Sequence, residues 1–173
     1  MLRSPSVKPA LLASVLLAGC GAARPDERLQ ASAPVFDPAT FFAGRTAGEG
    51  TINIMFKAAE PLRVQGSGRV ERDDSLVLDQ IVRRGARAPE RRQWRFRSLG
   101  QGRYAGTLTD ATGPVNANVT GNRLQLRYPM KGGVQAEQWI YLQRDGRTAL
   151  NRMSIRKFGV VVARIEETIR KLD

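Results

Sequence analysis

The sequence predicts an all-β fold, an antiparallel up-and-down sheet of about 8–10 strands curled into a barrel, and three observations carry that prediction. Apolar side chains recur at every second position from residue 50 onward, and turn dipeptides separate the alternating runs. The connections are also too short for the crossovers that parallel strands need.

The first residues stand apart from that pattern. Met1 to Pro9 holds Arg3 and Lys8 and no acid, and Ala10 to Gly19 reads ALLASVLLAG. That apolar run is shorter than the roughly 20 residues of a permanent spanning helix, so residues 1–19 read as an export signal. Its end, Leu17-Ala18-Gly19-Cys20, resembles the lipobox of bacterial lipoproteins. The resemblance implies that Cys20 becomes the first residue and carries a thioether-linked diacylglycerol and an amide-linked acyl chain. Several chains on one residue make a stable anchor, since each buried CH₂ adds roughly 0.8 kcal/mol. Gly21 stands where an Asp would resemble an inner-membrane retention signal, so the expected location is the outer membrane, facing the periplasm. From Gly21 to Pro38 the chain reads GAARPDERLQASAPVFDP; residues 20–35 are expected to be a lipidated N-terminus and flexible tether, and 36–173 a single domain.

Within that domain Phe36 to Gly44 predicts a short helix or plug, and strands are expected near 50–56, 62–70, 75–83, 92–99, 102–110, 114–120, 122–129, 136–143, 148–156 and 159–169. Ile52, Ile54 and Phe56 alternate with Thr51, Asn53 and Met55, and Trp94 and Phe96 with Gln93, Arg95 and Arg97. Tyr104, Gly106 and Leu108 share a face, as do Val115, Ala117 and Val119. Leu124, Leu126 and Tyr128 oppose Arg123, Gln125 and Arg127. Gly121-Asn122 and Asp145-Gly146 are hairpin dipeptides, and Lys131-Gly132-Gly133 follows a proline that ends its strand. The final segment fits a helix through Val161, Ile165, Ile169 and Leu172, or a strand through Ala163, Ile165 and Ile169 interrupted by Glu167; the strand is the preferred reading. Closing such a sheet removes its edges and gives a lipocalin-like barrel, whose interior at about eight strands holds packed side chains or one small ligand. Charges on the outward faces exclude a transmembrane barrel, which needs an apolar band about 25 Å tall.

Composition narrows the function. Lys and Arg number 28 against 16 Asp and Glu, a formal charge of +12 over 173 residues, which favours anionic headgroups and other polyanions. Nucleic acid is the weaker partner, because the basic residues are spread over strands and turns. With no histidine and one cysteine, His-based triads, the common His/Cys metal sites and internal disulfides are excluded. Ser75 and Ser154 therefore lack an activating histidine, and Gly66-Ser67-Gly68 lacks the Lys-Ser/Thr of a phosphate loop. Asp73-Asp74 and Glu166-Glu167 are adjacent pairs that point to opposite faces of a strand. No metal, cofactor or enzymatic activity is expected.

An ordered series of motifs runs through the domain: Phe42-x-Gly44, Leu76-x-Leu78-Asp79-Gln80, Arg92-x-Trp94, Tyr104-x-Gly106, Asp110-x-x-Gly113, Gly121-Asn122, Trp139-x-Tyr141-Leu142, Asn151-Arg152 and Lys157-Phe158-Gly159. Over residues 36–173 it resembles the exported bacterial lipoproteins of the domain of unknown function DUF3833. This chain has Leu78-Asp79-Gln80-Ile81-Val82 where the family favours Leu-x-Glu-x-Phe, and Gln138 where it favours Asp. The resemblance implies a lipoprotein and no assigned activity.

The candidate site is an interior cluster. Gln80, Arg92 and Trp94 share faces with Leu78 and Phe96, so a guanidinium and an amide among apolar groups need partners; Asp110 and Asn151 are the candidates. Arg92 with Trp94 and Trp139 would form the polar end of a lipid or amphiphile pocket, the arginine taking a carboxylate or phosphate. The alternative is that these residues only tie strand to strand in a solid barrel. Arg152, Arg156 and Lys157, with Phe158, form a candidate headgroup contact, against the plainer reading of a solvated barrel face. The expected function is thus an envelope-tethered module that binds a lipid or amphiphile, and the alternative is a non-catalytic structural or interaction lipoprotein docking on a membrane enzyme or envelope complex.

Overall fold

The computed structural model describes residues 25–173, so the predicted signal over 1–19 and Cys20 lie outside the described residues. Ten strands follow one another and each pairs antiparallel with the next: β1 (Gly44–Ile54), β2 (Glu60–Val70), β3 (Leu76–Arg84), β4 (Glu90–Gly100), β5 (Arg103–Leu108), β6 (Val115–Thr120), β7 (Arg123–Met130), β8 (Val134–Leu142), β9 (Thr148–Lys157) and β10 (Val160–Lys171). β10 returns to β1, from Thr46 opposite Lys171 to Ile54 opposite Ala163, and closes the barrel. The lipocalin-like up-and-down barrel is therefore the fold, and the C-terminal segment is its closing strand.

Two local expectations are corrected. β1 begins at Gly44, six residues early, because Gly44, Gly48 and Gly50 give no apolar alternation while the segment is hydrogen-bonded on both sides, to β2 and β10. Phe56 does not continue the inward face of Ile52 and Ile54. It sits in the β1–β2 turn with φ 61° and is 99% exposed.

The two ends of the barrel differ. One carries the turns at 71–75, 100–102, 121–122 and 143–147 and is plugged by α1 (Pro38–Phe42). Asp37 caps α1 by accepting from the Ala39 and Thr40 amides, and Pro38 fills the first helical position, where its missing N–H is harmless. Phe36, Phe41 and Phe42 are buried against one another with ring centroids 5.0–6.1 Å apart. Gly68 on β2 lies under the Phe42 carbonyl, and a Cβ there would overlap that oxygen, so the missing side chain is what lets the plug seat. Lys171 at the end of β10 donates to the carbonyl of Ala43, tying plug to seam. At the other end, the mouth, the last inward residues Ile54, Val82, Met130 and Ile155 are only half-buried.

Residues 25–35 are more than a tether. The Asp26 amide donates to the Tyr141 hydroxyl at 2.8 Å, Ala31 N donates to Asn122 Oδ1 at 2.7 Å and Phe36 N donates to Gly121 O at 2.8 Å. The expected flexible stretch over 20–35 thus has its second half fastened to the β6–β7 turn and to β8, because Asn122 and Tyr141 offer oxygens that the backbone needs. On the opposite wall Arg69 pairs with Asp79 at 2.8 Å and Arg95 with Glu71 at 2.6 Å; these arginines flank Val77 in register, and it is buried although it faces outward.

The plug is expected to be a principal source of stability. Phe42→Ala should lower unfolding free energy by about 3–5 kcal/mol in chemical denaturation, the usual cost of truncating a buried phenylalanine. A loss below about 1 kcal/mol would show that α1 contributes little to the core.

Candidate functional site

The interior polar groups form two clusters on opposite sides of one cavity. Gln80 on β3 and Arg92 on β4 are register partners, one step from the pair Leu78 and Trp94. The alternation that sends Leu78 and Phe96 inward sends Gln80, Arg92 and Trp94 inward with them. Gln80 Oε1 accepts from Trp94 Nε1 at 2.8 Å and from Arg92 Nε at 3.2 Å, which uses both lone pairs of that oxygen. Asp110, in the loop after β5, has Oδ2 3.9 Å from Arg92 Nη1. That is an ion pair without a hydrogen bond, and it leaves the outer edge of the guanidinium free of a close partner among the described residues. The Trp94 ring stacks on Phe96 at 5.5 Å and meets Tyr128 edge-on at 5.4 Å, which fixes the indole N–H toward Gln80.

Across the barrel, Asn151 on β9 and Glu167 on β10 are also register partners, with Asn151 Nδ2 donating to Glu167 Oε2 at 2.8 Å. Both are buried, and Gly48 leaves the room into which the Glu167 carboxyl fits. Burial pushes the Glu167 carboxyl above the ordinary carboxylate range; the Asn151 hydrogen bond and the field of Arg92 oppose this without reversing it. Asn151 Oδ1 is buried with no partner, an acceptor facing the same space. Between the clusters, Tyr128 is raised by burial, and its hydroxyl lies at the limit of hydrogen-bond distance, 3.5 Å, from Gln138 Oε1. Arg92 is the one cationic side chain that lines this interior.

The cavity between the clusters measures about 60 Å³ and is walled by apolar side chains, among them Phe42, Leu62, Val64, Leu126 and Ile165. One water needs about 10–15 Å³ and a drug-sized pocket has at least about 300 Å³. The space therefore has room for a few waters and is narrower than a drug-sized pocket.

Of the residues expected here, Gln80, Arg92, Trp94 and Asn151 line the cavity, and Asp110 stands at its edge through Arg92. Two expectations fail. Trp139 is outside: Gln138 and Ile140 point inward, so Trp139 lies on the outer face between Gln125 and Arg152, buried, with its Nε1 unpartnered. Asn151 pairs with Glu167 and makes no hydrogen bond to Arg92. Tyr128, Gln138 and Glu167 also line the cavity, beyond the residues expected there. Glu167 shares strand parity with Ala163, Ile165 and Ile169, and that parity was the available signal. Arg152 and Arg156 lie on the outer face of β9, donating to the carbonyls of Asn151 and Gly159, while Lys157 is at the mouth with Nζ 5.7 Å from the Phe158 ring centroid. Among the described residues no group of three potential metal ligands occurs, and no helix is long and apolar enough to cross a membrane.

Comparison with known proteins bears mainly on the fold. The family described as protein of unknown function (DUF3833) matches residues 14–171. No curated protein matches the chain. A solved S-type phycobiliprotein lyase, CPES from Guillardia theta, is similar in structure with a TM-score of 0.61, covering 76% of this chain and 88% of that one at 8% identity. At that identity the likeness is one of fold alone.

The buried acid makes stability depend on pH with a defined sign. A carboxyl whose folded pKa is raised contributes stability below its unfolded value and loses it as pH climbs through the raised one. Glu167→Gln keeps an acceptor for Asn151 and removes the titration. The variant should therefore gain on the wild type, by denaturation midpoint, as pH rises from below the ordinary glutamate range to slightly alkaline. An unchanged difference across that range would mean that Glu167 ionises as an ordinary carboxylate.

Proposed function

The chain belongs to the family described as protein of unknown function (DUF3833), and we propose that it is a non-catalytic envelope module whose barrel holds one slender amphiphile with its anionic head at Arg92. The observation that carries this reading is the asymmetry of the interior. One end is stoppered by Phe36, Phe41 and Phe42, the walls are apolar, and the fixed cation sits among half-buried groups, with its side chain 22% exposed. A hydrocarbon would lie along the apolar wall, and a carboxylate or phosphate would take the guanidinium edge that Asp110 leaves open at 3.9 Å. Asn151 Oδ1 adds an acceptor suited to a hydroxyl or protonated acid on the same head. The chemistry is capture. Among the described residues no nucleophile stands beside a base in this cavity.

The setting of that module is the membrane. Arg3 and Lys8 followed by ALLASVLLAG and Cys20 support export and lipidation, with the barrel held on the periplasmic face of the outer membrane. Cys20→Ala is expected to abolish acyl labelling and release the protein from the membrane fraction. Retained labelling would remove the anchor from the account.

One observation favours a second reading, a ligand-free barrel that docks on a membrane enzyme or envelope complex. The cavity of about 60 Å³ is narrow. Arg92→Met separates the two. Losing a charge-assisted contact of about 1.5–3 kcal/mol should weaken palmitate binding, followed by Trp94 emission, at least tenfold while the unfolding transition stays cooperative. Wild-type protein that takes up no palmitate, or a variant that binds it equally well, would favour the docking reading.

A further inference from the structure

Side chains at the mouth are the reverse of what a soluble hairpin tip requires. Phe56 in the β1–β2 turn is 99% exposed and Phe158 in the β9–β10 turn is 92% exposed. Both occupy left-handed backbone, with φ 61° and 49°. Such turn positions favour Gly, Asn or Asp, and a bulky residue there costs local stability, so neither turn geometry nor core packing accounts for the two rings. The turns are neighbours. β1 and β10 are paired to Ile54 and Ala163, and Met55 N donates to Val162 O at 2.9 Å, so the two rings, with the exposed Met55 and Val160, lie at the same end of adjacent strands.

Charge around these tips is predominantly positive. Lys57 follows Phe56, Lys157 precedes Phe158 and Lys131 occupies the β7–β8 turn at the same end. Of the acids at this end, Glu60 is neutralised by Arg84 at 3.3 Å and Arg87 at 3.7 Å, Asp110 faces Arg92, and Glu90 remains. We propose that the mouth docks on an anionic bilayer, with Phe56 and Phe158 in the headgroup region and Lys57, Lys131 and Lys157 against lipid phosphates.

Chain length permits this with Cys20 in the same bilayer. Asp26 is fastened at Tyr141, seven residues from the mouth end of β8 at Val134. That is about 24 Å along the strand, or roughly 18 Å along the barrel axis at a tilt of about 40°. Cys20 is six residues before Asp26 and can reach up to about 20 Å. Docked in this way, the cavity would open toward the bilayer that supplies its ligand. The inference deepens the proposed function and rests on it for the nearby membrane, while its test reads the position of rim side chains and is blind to ligand uptake.

Three single variants of the full chain, Phe56→Trp, Phe158→Trp and, at the plugged end, Leu99→Trp, are reconstituted on phosphatidylglycerol vesicles with bromine on shallow acyl positions. Emission of the unsubstituted protein, from Trp94 and Trp139, is subtracted. The tryptophans introduced at 56 and 158 should lose at least half their emission to bromine, and the one at 99 should lose none. Equal quenching at all three, quenching at 99 alone, or none at the tips would overturn the docking geometry. Lys57→Glu with Lys157→Glu should reduce tip quenching to the level on neutral phosphatidylcholine. If the charge reversals change nothing, the anionic surface is not the partner.

Discussion

Closure of the sheet is the constraint on which the rest depends. Once β10 hydrogen-bonds to β1, the inward side chains share one space, and a polar group deep in it has only the other inward groups to partner it. Gln80 answers two N–H groups with one oxygen, and Asn151 answers Glu167. The seam itself needs small residues: Gly48 sits where the Glu167 carboxyl turns inward. The glycine-rich start of β1, featureless as a sequence, is therefore the part that lets the closing strand carry an acid into the core.

The plug turns a symmetric tube into a cup. Phe36, Phe41 and Phe42 fill one end, held by the Asp37 cap and the bare Gly68, while the opposite rim keeps its inward residues half in water. That polarity gives the interior a depth axis, with apolar groups at the floor and Arg92 toward the lip. It also gives the outside an orientation, because the exposed phenylalanines and lysines sit at the open end. In the proposed reading, anchor, mouth and cavity form one arrangement, in which a ligand would pass between bilayer and barrel without crossing water.

Most of the architecture was legible because strand alternation is a local signal. The pairs Leu124 and Leu126, Trp94 and Phe96, and the dipeptides Gly121-Asn122 and Asp145-Gly146 place their strands without reference to the rest of the chain. What local pattern lacks is a partner. The stretch Gly44 to Gly50 becomes a strand through its neighbours, and Phe56 leaves its strand because the turn begins there. The site was readable in half for the same reason. Parity alone puts Arg92, Gln80 and Asn151 inside, and applied to β8 it would have put Gln138 inside and Trp139 out. That Asn151 meets Glu167 depends on the register of β9 against β10, which no single strand encodes.

The central claim is that this cup is a container. Native mass spectrometry of the full protein, extracted gently from its own membranes, tests that most directly. The account predicts one noncovalently held single-chain amphiphile in addition to any lipid on Cys20, lost on mild activation. Protein that emerges empty, and stays empty after incubation with membrane lipid extract, would contradict it.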